Sequence, residues 1–275
     1  MSSARVAASL LEFGRELAES GAAQVGDGFT GDARIDALLE TQPNAFLLGV
    51  LFTQGIPAER AWAGPYNLGQ RLGTLDIGFL SSNPDAVRRA VQRAPMLHRF
   101  KETLPRWISA AATRLLADYE GDAARIWPTG SHVIEVTERL SAFDGIGRKK
   151  AVMTVEILSR HFGVEFEGRE CGQVAYDVQV RRVFLRSGMA DVDSIETIER
   201  AAAAACPDEP GMLDLAAWLV GRDWCRPKRP RCDGCRLGEA CARRIHLTPV
   251  GVGSRTAHDP RNQALLRGAE DESRE

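Results

Sequence analysis

Four of the chain's six cysteines fall in one short run, CRPKRPRCDGCRLGEAC, from Cys225 to Cys241, with the spacing C-x6-C-x2-C-x5-C. Four thiolates this close can hold a tetrahedral zinc ion or a [4Fe–4S] cluster. Zinc sites usually pair their cysteines as two short knuckles, and here only Cys232 and Cys235 form such a pair. Cys225 and Cys241 stand further out, as in one loop wrapped around a larger object, which favours a cubane cluster over zinc. Cys171 and Cys206 lie outside the pattern and are read as free thiols. The run is also basic: eight Lys/Arg stand against three acids between Arg222 and Arg244, although the net charge of the 275-residue chain is −2. A polyanion responds to such a local surplus more than to the sum over the chain.

A second group of residues lies in FDGIGRKKA, Phe143 to Ala151. A Gly-x-Gly turn bends tightly and lets backbone approach a ligand without Cβ obstruction. The amides of the helix that follows carry partial positive charge, a geometry suited to phosphate. Gly145, Ile146 and Gly147 would supply backbone N–H groups, and Arg148, Lys149 and Lys150 would add full charges. Taken alone, the turn also reads as a plain helix–helix connection. Downstream, VAYDVQVRRVFLRSG places Asp177 at the start of another helix, where a carboxylate serves as a cap.

These residues need helices to position them, and the sequence is rich in helical signals. Composition is that of an ordinary globular protein, 44% hydrophobic and 26% charged. There is no internal repeat and little β signal. Helical spacing predicts elements at 4–19, 44–53, 57–73, 84–93 (capped by Asn83), 99–119, 131–143, 149–162, 176–186, 192–204 and 210–222. The stretch 163–175, GVEFEGRECGQVA, is the least helical part of the middle. The fold class expected is all-α. No run of 18 apolar residues occurs, so no membrane partner is expected. The N-terminus reads as a surface helix rather than a signal peptide. The protein is therefore expected in the cytoplasm, at the nucleoid if bacterial, where clustered thiols point to metal or catalysis before disulfides. The tail from 247 onward is poor in large apolar residues and is expected to be disordered.

Taken in order, the Gly-Ile-Gly-Arg-Lys hairpin, the Asp before a Val-x-Arg-Val-like helix and the four-cysteine run resemble the endonuclease III branch of the helix-hairpin-helix DNA glycosylases. The resemblance runs from about Asn44 to Arg244 and includes AFLLGVLFTQ and GRDWCRPKRPRCDGC. It implies a two-domain fold: a six-helix domain over 43–163, and a cluster domain made of 1–42 and 164–246, with 247–275 as the tail. It implies a [4Fe–4S] cofactor on Cys225, Cys232, Cys235 and Cys241. Arg226, Lys228, Arg229 and Arg231 would then face the DNA backbone, positioning the protein rather than reading sequence.

The resemblance further implies a monomeric enzyme acting on double-stranded DNA that holds a damaged base or an abasic site. Lys149 would be the nucleophile, forming a Schiff base with the sugar, and Asp177 its essential partner. Gln54 would enter the gap left by the flipped nucleotide. The default substrate is an oxidised pyrimidine. The alternatives are a monofunctional glycosylase, in which Asp177 activates water, and a non-catalytic iron–sulfur DNA-binding protein. The chain departs from the family in several places. Lys150 stands where a small residue is common, and Asp144 where a proline is usual. Val178-Gln179 follows Asp177 where Thr-His is frequent. The 28-residue interval from Lys149 to Asp177 contains an apparent insertion of about ten residues, which loop closure tolerates.

Overall fold

The computed structural model describes residues 3–20 and 28–247, so all of the expected tail except Leu247 lies outside the described residues. Thirteen α-helices are seen among them. The first seven are α1 (Ser3–Glu19), α2 (Ala33–Thr41), α3 (Pro43–Phe52), α4 (Ala58–Trp62), α5 (Gly64–Leu72), α6 (Ile77–Ser82) and α7 (Pro84–Gln92). The rest are α8 (Thr103–Asp118), α9 (Val133–Ser141), α10 (Arg148–Arg160), α11 (Val178–Ser187), α12 (Ile195–Ala205) and α13 (Leu213–Leu219), which continues as a π-helical turn, Val220–Trp224. An isolated parallel bridge pairs His132 with Glu167. No described helix is long and apolar enough to cross a membrane.

Two hydrophobic cores organise these helices. The first gathers residues from Phe29 to Phe166, and the second combines α1 with residues from Val174 to Leu237. The N-terminal segment is thus shared: Val6, Leu10 and Phe13 pack in the second core, but Phe29, Ile35 and Leu39 pack in the first. The uniformly apolar α3 is the axis of the first core, with every residue from Ala45 to Phe52 buried. Phe46 stacks on Trp62 with centroids 5.6 Å apart. A helix apolar on all sides has no solvent face, so it must run through the middle of a bundle.

The expected single helix after Pro57 is two, because Pro65 starts a new first turn at α5 and supplies no N–H to the turn before it. Helices α2 and α6 were not anticipated. Both are short and are started by aspartate caps: Asp32 accepts from the Arg34 amide and Asp76 from the Phe79 amide. Asn83 precedes α7 as expected, but its side-chain amide donates to the Phe79 carbonyl instead of capping.

The segment 163–175 is docked rather than loose. The Gly130 amide donates to the Glu165 carbonyl at 2.8 Å and Glu167 pairs with the residues flanking His132. Arg169 lies between Glu156 of α10 and Glu209. Asp214 of α13 accepts from the Ala175 amide at 2.7 Å, two residues before Asp177. Full burial pushes the Asp214 carboxyl up to about 7.

Candidate nucleic-acid site and cysteine loop

Helix α9 ends at Ser141 and α10 begins at Arg148 with Gly147 as its N-cap. The turn between them is fixed from inside. Phe143 and Ile146 are buried, and the Ile146 amide donates to the Phe143 carbonyl at 3.0 Å. Gly145 adopts φ +84°, and a Cβ there would lie 2.5 Å from the Trp107 ring. Both the backbone conformation and the close ring demand glycine. At Gly147 a Cβ would meet nothing within 4 Å, so this side of the turn is open to a ligand. Ile146 is therefore a correction: its amide is spent within the turn. The open donors are those of Gly145, Gly147 and the first turn of α10.

The three cations that open α10 have three different fates. Arg148 is half-exposed and is held by both carboxylate oxygens of Glu199 on α12, at 2.8 and 3.0 Å. The Lys149 side chain is 47% exposed, and its Nζ lies 3.1 Å from Asp177 Oδ2. The other Asp177 oxygen accepts from the Gln179 amide at 2.8 Å, capping α11. The cap and the lysine partner are one side chain using two oxygens. Lys150 is the second correction. Expected on the DNA-facing surface, it is only 5% exposed, and its Nζ donates to the Leu51 carbonyl in the last turn of α3 at 2.9 Å. Desolvation, with Lys149 nearby, pushes its pKa down to about 7.

Gln54 is exposed two residues beyond α3, in a turn closed by its own amide donating to the Phe52 carbonyl at 2.8 Å. The loop 94–100 packs against this turn. Buried His98 sits edge-on to Phe52, and Arg99 lies against Gly55. The loop is held by Arg60, which donates to the Met96 carbonyl at 2.8 Å, and by Arg71, which donates to the carbonyls of Arg93 and Pro95. It presents Met96 with 47% of its surface exposed. Sequence reasoning missed this residue, because a lone methionine in a loop has no periodicity to mark it. The exposed methionine and the exposed glutamine thus come from two loops that pack on each other through His98, Arg99 and Phe100.

Cys225, Cys232, Cys235 and Cys241 line one cavity, closed by Val183, Arg186, Trp224 and Leu237. Among the described residues no three metal-ligating side chains converge closely enough for a single ion. The four sulfurs stand around the cavity instead, and N–H donors reach them: Arg243 N–H to Cys241 Sγ at 3.4 Å and Arg186 Nη1 to Cys225 Sγ at 3.8 Å. An all-cysteine donor set around one cavity, with donors aimed at sulfur, fits an iron–sulfur cluster. Arg182 and Arg186, both 1% exposed, brace the loop by donating to the carbonyls of Gly221, Arg226 and Pro227 at 2.8–2.9 Å. Arg226, Lys228, Arg229 and Arg231 are exposed on it, and none forms an ion pair among the described residues.

No family model matches the chain. Endonuclease III of Haemophilus influenzae is 30% identical over 111 residues, 40% of this chain and 47% of that protein, so the chain spans about half the length of this curated relative. Among solved structures, one of endonuclease III trapped as a covalent intermediate with DNA, in an estranged-adenine complex, superposes with a TM-score of 0.61 at 18% identity. It covers 89% of this chain and 97% of that one. A non-covalent endonuclease III–DNA complex gives 0.56 at 20% identity over 74% and 84% of the two chains. A thermostable thymine-DNA glycosylase gives 0.55 at 11% identity over 86% and 98%. The fold is thus the all-helical fold of endonuclease III and related helix-hairpin-helix DNA glycosylases.

Proposed function

We propose that this protein is a base-excision DNA repair glycosylase with an associated lyase activity, acting as a monomer on duplex DNA that carries a damaged base or an abasic site. The observation that carries the reading is the Lys149–Asp177 pair, brought to 3.1 Å across 28 residues of chain, beside an open hairpin turn. Phosphate bound at Gly145, Gly147 and the start of α10 would hold the strand in register. Gln54 and Met96 would fill the space vacated by an extruded nucleotide.

With the nucleotide extruded, the neutral Lys149 amine attacks C1′. The C1′–N bond breaks and its electron pair leaves with the base, which takes up a proton. Ring opening gives an iminium between Lys149 and the sugar. Loss of a proton from C2′ then expels the 3′ phosphate oxygen and nicks the strand. Asp177 stabilises the positive charge that develops on the sugar and accepts the proton that the amine loses. Cys225, Cys232, Cys235 and Cys241 would hold a [4Fe–4S] cluster, whose role when bound is to fix the loop that carries Arg226, Lys228, Arg229 and Arg231. Oxidised pyrimidine is the substrate class we assign by default. One observation favours the monofunctional reading: Lys149 Nζ is already engaged at 3.1 Å by Asp177 Oδ2. In that case Asp177 would activate water, and the base would be released without a nick.

Borohydride trapping separates these readings. Duplexes carrying an abasic site, thymine glycol, uracil or a G·T mismatch are incubated with protein and reductant. A covalent protein–DNA band that Lys149→Ala abolishes establishes the lyase. Base release with no band on any duplex supports the monofunctional enzyme, and DNA binding with no product on any of them leaves a non-catalytic binder.

A further inference from the structure

Lys150 is a cation beside the site that the proposed reaction does not use, and its placement is physically expensive. An ammonium taken from water into a bundle core is penalised strongly enough that an apolar side chain of the same volume is often the more stable choice. Around it are α3, which brings no titratable group, and Trp107 of α8, whose indole lies 5.7 Å from Nζ. The titratable groups facing it are Lys149 on its own helix and His98 from the loop 94–100. What the lysine adds, and an apolar residue could not, is a hydrogen bond between α10 and the last turn of α3. The carbonyls of that last turn have no partner within the helix. The amine can donate to Leu51 whether it is charged or neutral, because both forms keep N–H groups.

The consequence is a junction. Three residues beyond Leu51 is Gln54, and one residue before Lys150 is Lys149. The Trp107 ring that faces the amine also lies directly under Gly145 of the hairpin. We propose that Lys150 is a positioning residue that locks the Gln54 turn to the helix of the nucleophile, so that the side chain entering the duplex and the amine attacking the sugar keep one fixed relation. This rests on the assignment of Lys149 as nucleophile and Gln54 as the inserted residue.

The test uses the full chain and Lys150→Met, which keeps length and volume but removes the donor. Hydrogen–deuterium exchange over residues 51–56 is expected to rise about tenfold, the opening expected when one buried hydrogen bond is removed, with thermal stability unchanged or higher. Borohydride trapping on an abasic duplex should slow by about tenfold. Adding Gln54→Ala to Lys150→Met should then cost little more, because coupled residues are not additive. Exchange that stays the same at 51–56, or that rises equally across the chain, would overturn the proposal. So would rate effects of the two substitutions that simply multiply. If Lys150→Met does not fold, Lys150→Gln, which keeps a polar end but falls short of the carbonyl, is read in the same way. If the wild-type protein traps no DNA, the lyase reading fails, and the exchange comparison still decides whether Lys150 holds the turn.

Discussion

Asp177 performs two jobs that substitution can separate. Asparagine caps a helix about as well as aspartate but carries no charge. Asp177→Asn should therefore leave stability nearly unchanged and lower the single-turnover rate by about 10² to 10⁴. Asp177→Ala should add about 1 kcal/mol of destabilisation, read in a denaturant melt. If Asp177→Asn keeps full activity, Asp177 is a cap and nothing more. Lys150 makes a separate prediction. Its folded-state pKa of about 7 lies below the ordinary 10.5, so between those values the unfolded chain binds a proton that the folded chain has released. Stability should then rise as pH climbs from about 7 to 10.5, and the burden of the buried charge is greatest below that window. Lys150→Met removes this dependence. Its melting temperature should exceed the wild type's near neutral pH, and the gap should narrow as the pH approaches 10.

The contacts between elements carry their own tests. Glu199 on α12 holds Arg148 at the start of α10, where a phosphate would otherwise meet it. Glu199→Gln should free the guanidinium, tighten DNA binding and steepen the salt dependence of the binding constant by roughly one counterion. Titrations at several salt concentrations measure this, and an unchanged slope would mean that Arg148 never reaches the backbone. The docked segment 163–175 bears on the same region. Its end is fixed by Asp214 at the Ala175 amide and its middle by Arg169 on Glu156. The segment therefore leads into Asp177 as a braced strut, and the long interval from Lys149 does not leave the carboxylate loosely placed.

The charge of the whole molecule is −2, yet a polyanion docked on the cysteine loop would meet a local positive field. The four exposed cations on the cysteine loop are the place to read that field. Alanine at Arg226, Lys228, Arg229 or Arg231 should weaken binding uniformly across sequences and lower the salt slope by about 0.9 for each phosphate no longer neutralised. Lesion preference should not change. Removing one of the proposed cluster ligands tests the loop as a unit. Cys232→Ser should lose the visible absorbance of bound iron and sulfur and bind DNA more weakly. The first core should keep its helical circular dichroism, because none of the four cysteines packs in it.

The sequence by itself determined the helical class, the order of hairpin, aspartate and cysteine run, and the intervals within each. Helical period, turn residues and ligand spacing are local properties, and a short window of chain expresses them. It missed α2 and α6, whose short apolar patterns gain meaning only from the helices they pack on, and it missed Met96, which stands out only because its loop is folded against the Gln54 turn. Above all, it could not separate Arg148, Lys149 and Lys150. Successive residues on a helix point about 100° apart, so these three face three different surroundings. What lies on each side comes from distant chain: Glu199 51 residues away, Asp177 28 and Leu51 99. Only the tertiary structure brings those partners up, and so it decided which cation is paired with a carboxylate in the open, which is held by a second helix, and which is buried as a strut.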